Sequence, residues 1–338
     1  MVTLRDVARA AGVSPATASR ALSHPGRVTP VRRARVERAA AELGYRSLAP
    51  GNPPPRRIGL IVPDLHNPYF SGVTKGVQHR AHGAGLSLLI ADSDEDPHRE
   101  LDLVAKMAPQ ADAIVLCSPR MSDQALAALE IEPDVVLVNR EAPNIPSVVV
   151  DNASGIRQIM RHLHALGHRR VAYAGGMPGS WSDRERGDAM DAAGHDLGVE
   201  VVRLGNFPTT FAGGVAAADL VAASGVTAVV AHHDVMALGI LDQLRSRGVR
   251  VPQEVSVVGF DDVPAAMYVS PALTTVQVQL HLLGRIAVDL LISPDSVPDV
   301  RNGMCRMPVS LVVRDSTGPA AVTVPSDVSS LSPHGIRG

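Results

Sequence analysis

The chain has 338 residues, which is too long for a single compact domain. Its length predicts two or three domains. Apolar residues make up 45% and charged residues 20%, a balance that excludes disordered and fibrous proteins. The net charge of −2 hides an asymmetry, because residues 1–57 hold eleven arginines against three acids and the remainder is acidic. A basic segment on an acidic body indicates that the first segment meets a polyanion.

The cysteine content and the first residues bear on the compartment. Cys117 and Cys305 lie far apart and give neither a disulfide framework nor a zinc knuckle. Residues 1–12 lack the apolar core of a signal peptide, and no apolar run reaches the length of a membrane span. We therefore expect a cytoplasmic protein.

Residues 1–46 predict three short helices. Thr3 can cap the first, whose apolar positions recur at helical spacing until Gly12 ends it. Ser14 then caps a second helix, and Pro15 suits its first position. A third helix begins after Thr29 by the same device. Three short helices with a tight turn between the first two form a helix-turn-helix.

In a helix-turn-helix, the second helix enters the major groove of DNA and its N-terminal residues meet base edges. Pro15, Ala16 and Arg20 project from that face. Arg20 could donate two hydrogen bonds to a guanine, and Ala16 could touch a thymine methyl group. Hydroxyl side chains at helix ends suit phosphate oxygens, although each is also an ordinary helix cap. The predicted phosphate contacts are Thr3, Ser14, Thr17, Ser19 and Thr29.

The run from Thr3 to Arg46, with VSPATASRAL and ELGYR in it, resembles the headpiece of the lactose-repressor (LacI/GalR-type) family almost position for position. The resemblance implies a homodimer, or a dimer of dimers, that reads a pseudo-palindromic operator in double-stranded DNA. It also implies that Pro15, Ala16 and Arg20 are the base readers.

The linker, residues 47–57, departs from the family pattern. Four prolines between residues 50 and 55 forbid a continuous helix. Family members usually have a longer stretch here, with a short hinge helix that wedges a leucine into the minor groove. About half of that helix is missing, and Leu48 is the candidate wedge, with an ordinary linker residue as the alternative. We expect coupling to the DNA to act more through the spacing of the headpieces than through hinge folding.

From residue 58 the sequence alternates buried strand-like runs with helical patterns, in two sets. Two such sets imply two open α/β lobes. We expect an N-lobe of about 58–149 and 278–307 and a C-lobe of about 150–277 and 308–317. Residues 318–338 are rich in Ser, Pro and Gly and are expected to be a disordered tail. The predicted strands are 58–62, 86–91, 113–117, 135–138, 169–175, 226–231 and 255–260, and the predicted helices include 71–83, 154–166, 213–224 and 236–247.

Ligands of such sheets bind outside the carboxyl ends of the strands. Most residues that follow the predicted strands are polar, with a few aromatic rings among them, which suits a polyhydroxylated ligand. The body also resembles the family's periplasmic-binding-protein-like (type I) sensor, in runs such as IGLIVPDLHNPYF and VSVVGFDD. The resemblance covers roughly residues 2–317 and implies a small-molecule effector between the lobes, with a sugar or sugar derivative as the expected class.

The resemblance assigns roles by position. Arg184, three residues before a glycine, stands where the family places an effector-clasping arginine, and Asp261 matches its acidic contact. His233 stands where relatives have asparagine, so the effector contact differs in shape. For Asp234 and Asp262, a helix cap or a turn bond is the alternative. The predicted effector-binding residues are Asn67, Tyr69, Phe70, Ser118, Asn139, Trp181, Arg184, His233 and Asp261.

Signals for metals, cofactors and catalysis are weak. The histidines between residues 162 and 168 fit a helix end, and the acidic run 92–97 lacks the spacing of a calcium loop. No glycine-rich phosphate loop follows the first strand. We therefore expect no metal, no cofactor and no catalytic residues. Two alternatives remain: a periplasmic sugar-binding protein, which would need a signal peptide, and a sugar-active enzyme, which would need paired carboxylates.

The sequence thus predicts a homodimeric transcriptional repressor whose operator affinity changes when a small molecule closes the sensor cleft. Linkage requires the effector to bind the two states of the dimer unequally. The identity of the effector, its direction of action, the operator sequence and the choice between dimer and tetramer stay open.

Overall fold

The computed structural model describes residues 3–23, 30–43, 57–129 and 134–321. The chain divides after Arg56 into two compact units. The first is the helical headpiece and the second is the α/β body.

The headpiece consists of α1 (Leu4–Ala11), α2 (Pro15–Ser23) and α3 (Pro30–Glu42). Thr3 and Asp6 form a reciprocal capping box at the start of α1, and Gly12 ends that helix in a left-handed conformation with φ of 60°. Arg35 on α3 donates a hydrogen bond of 2.7 Å to the carbonyl oxygen of Ala11, which ties α3 to this turn. Small side chains let the three helices approach closely, and the core consists of Val7, Ala8, Ala11, Ala18, Ala21, Val36, Ala39 and Ala40.

The first lobe of the body contains a six-stranded parallel sheet, in the order β11-β5-β4-β3-β1-β2. Its central strand is buried on both faces, as a parallel sheet covered by helices requires. The strands are β1 (Arg57–Val62), β2 (Ser87–Asp92), β3 (Ala113–Cys117), β4 (Asp134–Val138), β5 (Ser147–Val150) and β11 (Met304–Met307), and the helices are α4 (Pro68–Gly83), α5 (Pro97–Met107), α6 (Asp123–Ala127) and α12 (Leu280–Ile292).

The second lobe repeats this plan with the strand order β12-β10-β9-β8-β6-β7, in which β12 alone runs antiparallel to its neighbour. The strands are β6 (Arg170–Gly175), β7 (Glu200–Asn206), β8 (Ala228–Ala231), β9 (Ser256–Asp261), β10 (Thr274–Gln277) and β12 (Ser310–Val312), and the helices are α7 (Asn152–Ala165), α8 (Trp181–Leu197), α9 (Phe211–Ala223), α10 (Asp234–Ser246) and α11 (Ala265–Tyr268).

The chain passes between the lobes three times, after β5, after β10 and after β11. Each sheet therefore contains one strand from the last part of the described chain. Residues 309–311 are held by the side-chain amide of Gln158 on α7, which accepts from the amide of Leu311 and donates to the carbonyl oxygen of Val309.

The segment after β12 corrects the prediction of a disordered tail from residue 318. Gly318 donates to the hydroxyl of Ser256 and accepts from the imidazole of His168, and Ala320 donates to the carbonyl oxygen of Leu166. Just before them, Ser316 is fully buried and exchanges hydrogen bonds with Val257. This segment has the polar composition of a linker, but its backbone is packed because its polar groups form hydrogen bonds with neighbouring strands and loops. Residues 322–338 lie outside the described residues.

Helices α4 and α12 cross at glycines. A Cβ atom at Gly76 would overlap the carbonyl oxygen of His281, and one at Gly284 would overlap that of Val73. The two helix backbones therefore touch where a side chain would separate them. At the end of α4, by contrast, a Cβ atom at Gly83 meets nothing within 4 Å.

We expect Gly76→Ala to destabilise the body by about 1–3 kcal/mol, because the added methyl group must push α12 away from α4. Gly83→Ala is the matched control on the same helix, and it should be neutral or stabilising by up to about 1 kcal/mol. Urea unfolding followed by circular dichroism measures both. Equal stability of the two variants would contradict the close crossing.

Candidate functional site

The first candidate site is the exposed face of α2 in the headpiece. Ala18 and Ala21 face the core, and a helix rotates by 100° per residue. The positions of Ala16, Ser19 and Arg20 therefore lie on the side of α2 away from that core, and Pro15 is exposed at the first position of the helix. Among the predicted DNA contacts, Thr29 and Leu48 lie outside the described residues.

The predicted phosphate-binding hydroxyls at the helix ends also serve as caps. Thr3 donates to the carboxylate of Asp6 over 2.7 Å and accepts from the amide of Asp6. The hydroxyl of Ser14 accepts from the amide of Thr17 over 3.2 Å and lies 2.9 Å from the hydroxyl of Thr17. The structure thus supports the capping role of Thr3 and Ser14, and the hydroxyl of Thr17 pairs with that of Ser14.

The second candidate site is a cavity between the two lobes, at the carboxyl ends of their strands. Seven predicted residues line it: Asn67, Tyr69, Phe70, Ser118, Asn139, His233 and Asp261. The free space between the side chains is narrow, about 20 Å³, which holds roughly one water molecule. A sugar-sized ligand therefore enters only when the lobes move apart. Six further residues line the same cavity: Glu95, Arg120, Ser182, Arg186, Thr209 and His232.

Two predicted effector residues, Arg184 and Trp181, lie outside the cavity. Ser182 and Arg186, four residues apart on α8, share the cavity face of that helix, and Arg184 lies about 200° away from each around the axis. Arg184 is accordingly exposed to solvent, and Trp181 is buried outside the cavity.

Arg186, not Arg184, is the arginine that α8 contributes to the cavity. Its guanidinium group packs over the ring of Phe260 at 3.6 Å and is 3% exposed. Its Nε donates to Asn152 over 2.9 Å, its Nη1 donates to the carbonyl oxygen of His232, and its Nη2 lies 3.8 Å from the Asp261 carboxylate. A charge with this many fixed partners is held in one orientation.

Asp234 and Asp261 form a buried pair of carboxyl groups. Asp234 does not cap α10: its two oxygens accept from the hydroxyl of Thr275 and from the amide of Val263, over 2.5 and 2.9 Å. Burial raises the pKa of Asp234, and it raises the pKa of Asp261 to about 7, against the opposing effect of Arg186. Both carboxyl groups are therefore harder to ionise than exposed ones.

His233 is the cap of α10. Its Nδ1 accepts from the amide of Met236 over 3.2 Å, so the proton of the neutral ring is on Nε2. Burial lowers the pKa of His233 well below its usual value, which keeps the ring neutral. His233 therefore presents an N–H donor to the cavity.

Four buried polar atoms of cavity residues have no hydrogen-bond partner within the described parts of the chain. An unpaired buried polar group costs about 1–3 kcal/mol, so a ligand that pairs with these atoms recovers that free energy. The atoms are Tyr69 Oη, Asn139 Oδ1, His233 Nε2 and Asp261 Oδ1.

The loop after β3 is supported from behind by a buried acid on α5. One oxygen of Glu100 accepts from the amides of Arg120 and Met121, over 2.9 Å each, and the residue is 1% exposed. Arg140 holds the same loop through the carbonyl oxygen of Met121. Burial raises the pKa of Glu100 to about 7, although both amide hydrogen bonds lower it. Glu100 thus positions Ser118 and Arg120 without lining the cavity.

Both units match known proteins. Residues 3–47 match the lacI family of bacterial regulatory proteins, and residues 160–317 match the periplasmic binding protein-like domain. The HTH-type transcriptional repressor CytR of Escherichia coli (strain K12) is 33% identical over 331 residues, which cover 93% of this chain and 96% of CytR.

The chain belongs to the LacI family of bacterial regulatory proteins.

Solved structures agree with this membership. The complex of the transcriptional regulator CelR with cellobiose is 30% identical, with a TM-score of 0.68, and covers 94% of this chain and 100% of CelR. The lac repressor dimer bound to operator and the anti-inducer ONPF is 28% identical, with a TM-score of 0.70, and covers 94% and 99% of the two chains. The predicted LacI family and fold class are therefore confirmed. Within the described residues, no helix is both long and apolar enough to cross a bilayer.

We expect Glu100→Gln to make this LacI-family body more stable at pH 8. The raised pKa means that the contribution of Glu100 to stability is present at low pH and is lost as the pH rises through about 7. A neutral amide avoids this loss, so the variant should gain up to about 3 kcal/mol at pH 8, and the gain should shrink towards pH 4.5. Urea unfolding at several pH values measures the difference.

Glu200→Gln is the control for this experiment. Glu200 pairs with Arg170 on the surface at 3.0 Å, and its side chain is 61% exposed. Its replacement should cause no gain that depends on pH in this way. If Glu100→Gln were less stable than the unchanged protein at pH 8, the assignment of a destabilising buried charge would fail.

Proposed function

We propose that this chain is a homodimeric transcriptional repressor whose affinity for an operator changes when a small, hydroxyl-rich molecule binds between the lobes of the body. One observation supports this most: a headpiece of the lacI family and a buried polar cavity at the strand ends occur in the same chain. CytR is named as a transcriptional repressor and covers both units. Because its proposed partner is DNA, we propose a cytoplasmic location.

The headpiece supplies the contact with double-stranded DNA. Pro15, Ala16 and Arg20 stand at positions of α2 outside its core and are proposed to read base edges, as in other helix-turn-helix proteins. The remaining proposed contacts are to phosphates from Thr3, Ser14, Thr17, Ser19 and Thr29, with Leu48 as a proposed wedge in the minor groove.

A sugar or sugar derivative is the proposed effector class. The unpaired atoms of the cavity include a donor, His233 Nε2, and an acceptor, Asn139 Oδ1. A hydroxyl group can serve either one, and the ring of Phe70 offers a surface for the C–H face of a sugar. CelR is a relative whose solved structure holds cellobiose. The relatives are transcriptional regulators, and we propose no enzymatic activity for this chain.

An exposed groove on the second lobe supports a homodimer. The groove measures about 690 Å³ and lies between α10 and the segment around α11. Phe211 and Tyr268 line it and are 44% and 79% exposed, which is unusual for large rings in a monomer. A second copy related by a two-fold axis would cover these rings, and a dimer carries two headpieces, one for each half-site of a palindromic operator.

We expect Arg20→Ala to weaken binding to operator DNA by about 5- to 150-fold, because a bidentate contact with guanine is worth about 1–3 kcal/mol. Fluorescence anisotropy of the full chain, against DNA from upstream of its own gene and a scrambled duplex at physiological salt, measures this. Arg285→Ala, an exposed arginine of the body, should leave both affinities unchanged. An equal loss on both duplexes would mean that Arg20 contacts phosphate only.

We expect Phe211→Ser to shift the protein from dimer towards monomer in sedimentation equilibrium, because it removes a large apolar contact from the groove. Leu220→Ser is the matched control: it lies on the opposite side of α9 and is 46% exposed. The control should remain dimeric. A monomeric control and a dimeric Phe211 variant would place the interface on the other face of α9.

A further inference from the structure

The charges that line the cavity are compensated inside it. Glu95 and Arg120 both come from the first lobe and form a bidentate ion pair. Arg120 Nε lies 2.5 Å from one carboxylate oxygen of Glu95, and Arg120 Nη2 lies 3.1 Å from the other. Both side chains are largely buried, at 17% and 8% exposure. Arg120 Nη1 donates to the carbonyl oxygen of Ser118. The Nε–Nη2 edge of the Arg120 guanidinium group, which would bind an anion, is therefore occupied by Glu95.

Arg186, the second arginine of the cavity, is compensated in the same way. Its Nη2 lies 3.8 Å from the carboxylate of Asp261, so this charge also has an acid beside it. The two cavity histidines add no charge, because burial lowers the pKa of His232 and of His233.

A further negative charge lies behind His232. Burial raises the pKa of Asp183, but His232, then the amide of Gly176 and the hydroxyl of Tyr173, from which Asp183 accepts, lower it further than burial raises it. Among the described residues that line the cavity, no cation is left without an acid beside it. An anionic ligand would lose its hydration on entering the cavity, and no unpaired positive charge would offset this desolvation free energy.

Glu95 also joins the two lobes. Thr209, from the second lobe, donates its hydroxyl proton to Glu95 Oε1 over 3.0 Å. The carboxylate that neutralises Arg120 therefore takes part in closing the cavity. A phosphate or carboxylate held between the lobes would repel this group as the lobes approach.

We propose that the cavity selects uncharged, hydroxyl-rich ligands and rejects their phosphorylated or carboxylated analogues, with Glu95 as the residue that sets this selection. The proposal rests on the proposed function, because it concerns the effector of the same cavity. The ion pairs of the cavity predict that the effector is uncharged, whereas the position of the cavity at the strand ends says nothing about its charge.

The first test compares matched pairs of ligands by thermal shift of the full chain. The pairs are glucose with glucose 6-phosphate, ribose with ribose 5-phosphate, and cellobiose with cellobionate, at constant ionic strength. We expect at least one neutral sugar to raise Tm and its anionic partner to have no effect. Stabilisation by an anionic member, or by no neutral member, overturns the proposal.

The second test uses inorganic phosphate as the probe and needs no cognate ligand. Glu95→Gln leaves Arg120 uncompensated, so the variant should bind phosphate about tenfold more tightly than the unchanged protein. Glu200→Gln removes the same charge from a surface ion pair and should bind phosphate as the unchanged protein does. The double variant Glu95→Gln, Arg120→Gln should lose the gain. No gain in Glu95→Gln, or an equal gain in Glu200→Gln, overturns the role of Glu95.

These outcomes are separate from those of the DNA experiment. Loss of operator binding in anisotropy would refute the regulator and leave the charge selection of the cavity measurable. If Glu95→Gln does not fold, the ligand pairs still decide the selection on the unchanged protein.

Discussion

The buried guanidinium group of Arg186 is the contact on which the cavity between the lobes depends. It holds Asn152 at the start of α7, the carbonyl oxygen of His232 after β8, and it faces Asp261 at the end of β9. A buried charge that loses one partner costs about 3–5 kcal/mol, so these three strand and helix ends are fixed relative to one another. Arg186 thus holds the polar cavity residues of the second lobe in one arrangement, and the loops of the first lobe pack against them.

The fold could be predicted from the sequence wherever apolar runs were long and buried. The runs 58–62, 113–117 and 255–260 became central strands because parallel strands covered on both faces contain little else. Five of the described strands escaped prediction. The edge strand β7 is mostly exposed, and β5, β10, β11 and β12 have three or four residues, too few for a period of two to be read.

Seven cavity residues were predicted because the carboxyl ends of parallel strands meet at one edge of a sheet. That rule places the residue after a strand, but it does not give the phase of the following helix, which decides between Arg184 and Arg186. Nor could the pairing of Glu95 with Arg120 and Thr209 be predicted, since it joins loops 25 and 114 residues apart through closure of the lobes. The strand ends give the location of the site, whereas its electrostatics depend on tertiary packing.

The three passages of the chain between the lobes have a consequence for synthesis on the ribosome. Neither sheet is complete until β11 and β12 have been made, close to the end of the described chain. Until then β5 and β10 each present an unpaired edge, which invites pairing with other chains. The headpiece, which precedes the body in the chain and has a core of its own, does not depend on these strands. A nascent chain therefore carries a finished DNA-binding unit before it carries the sensor that is to control it.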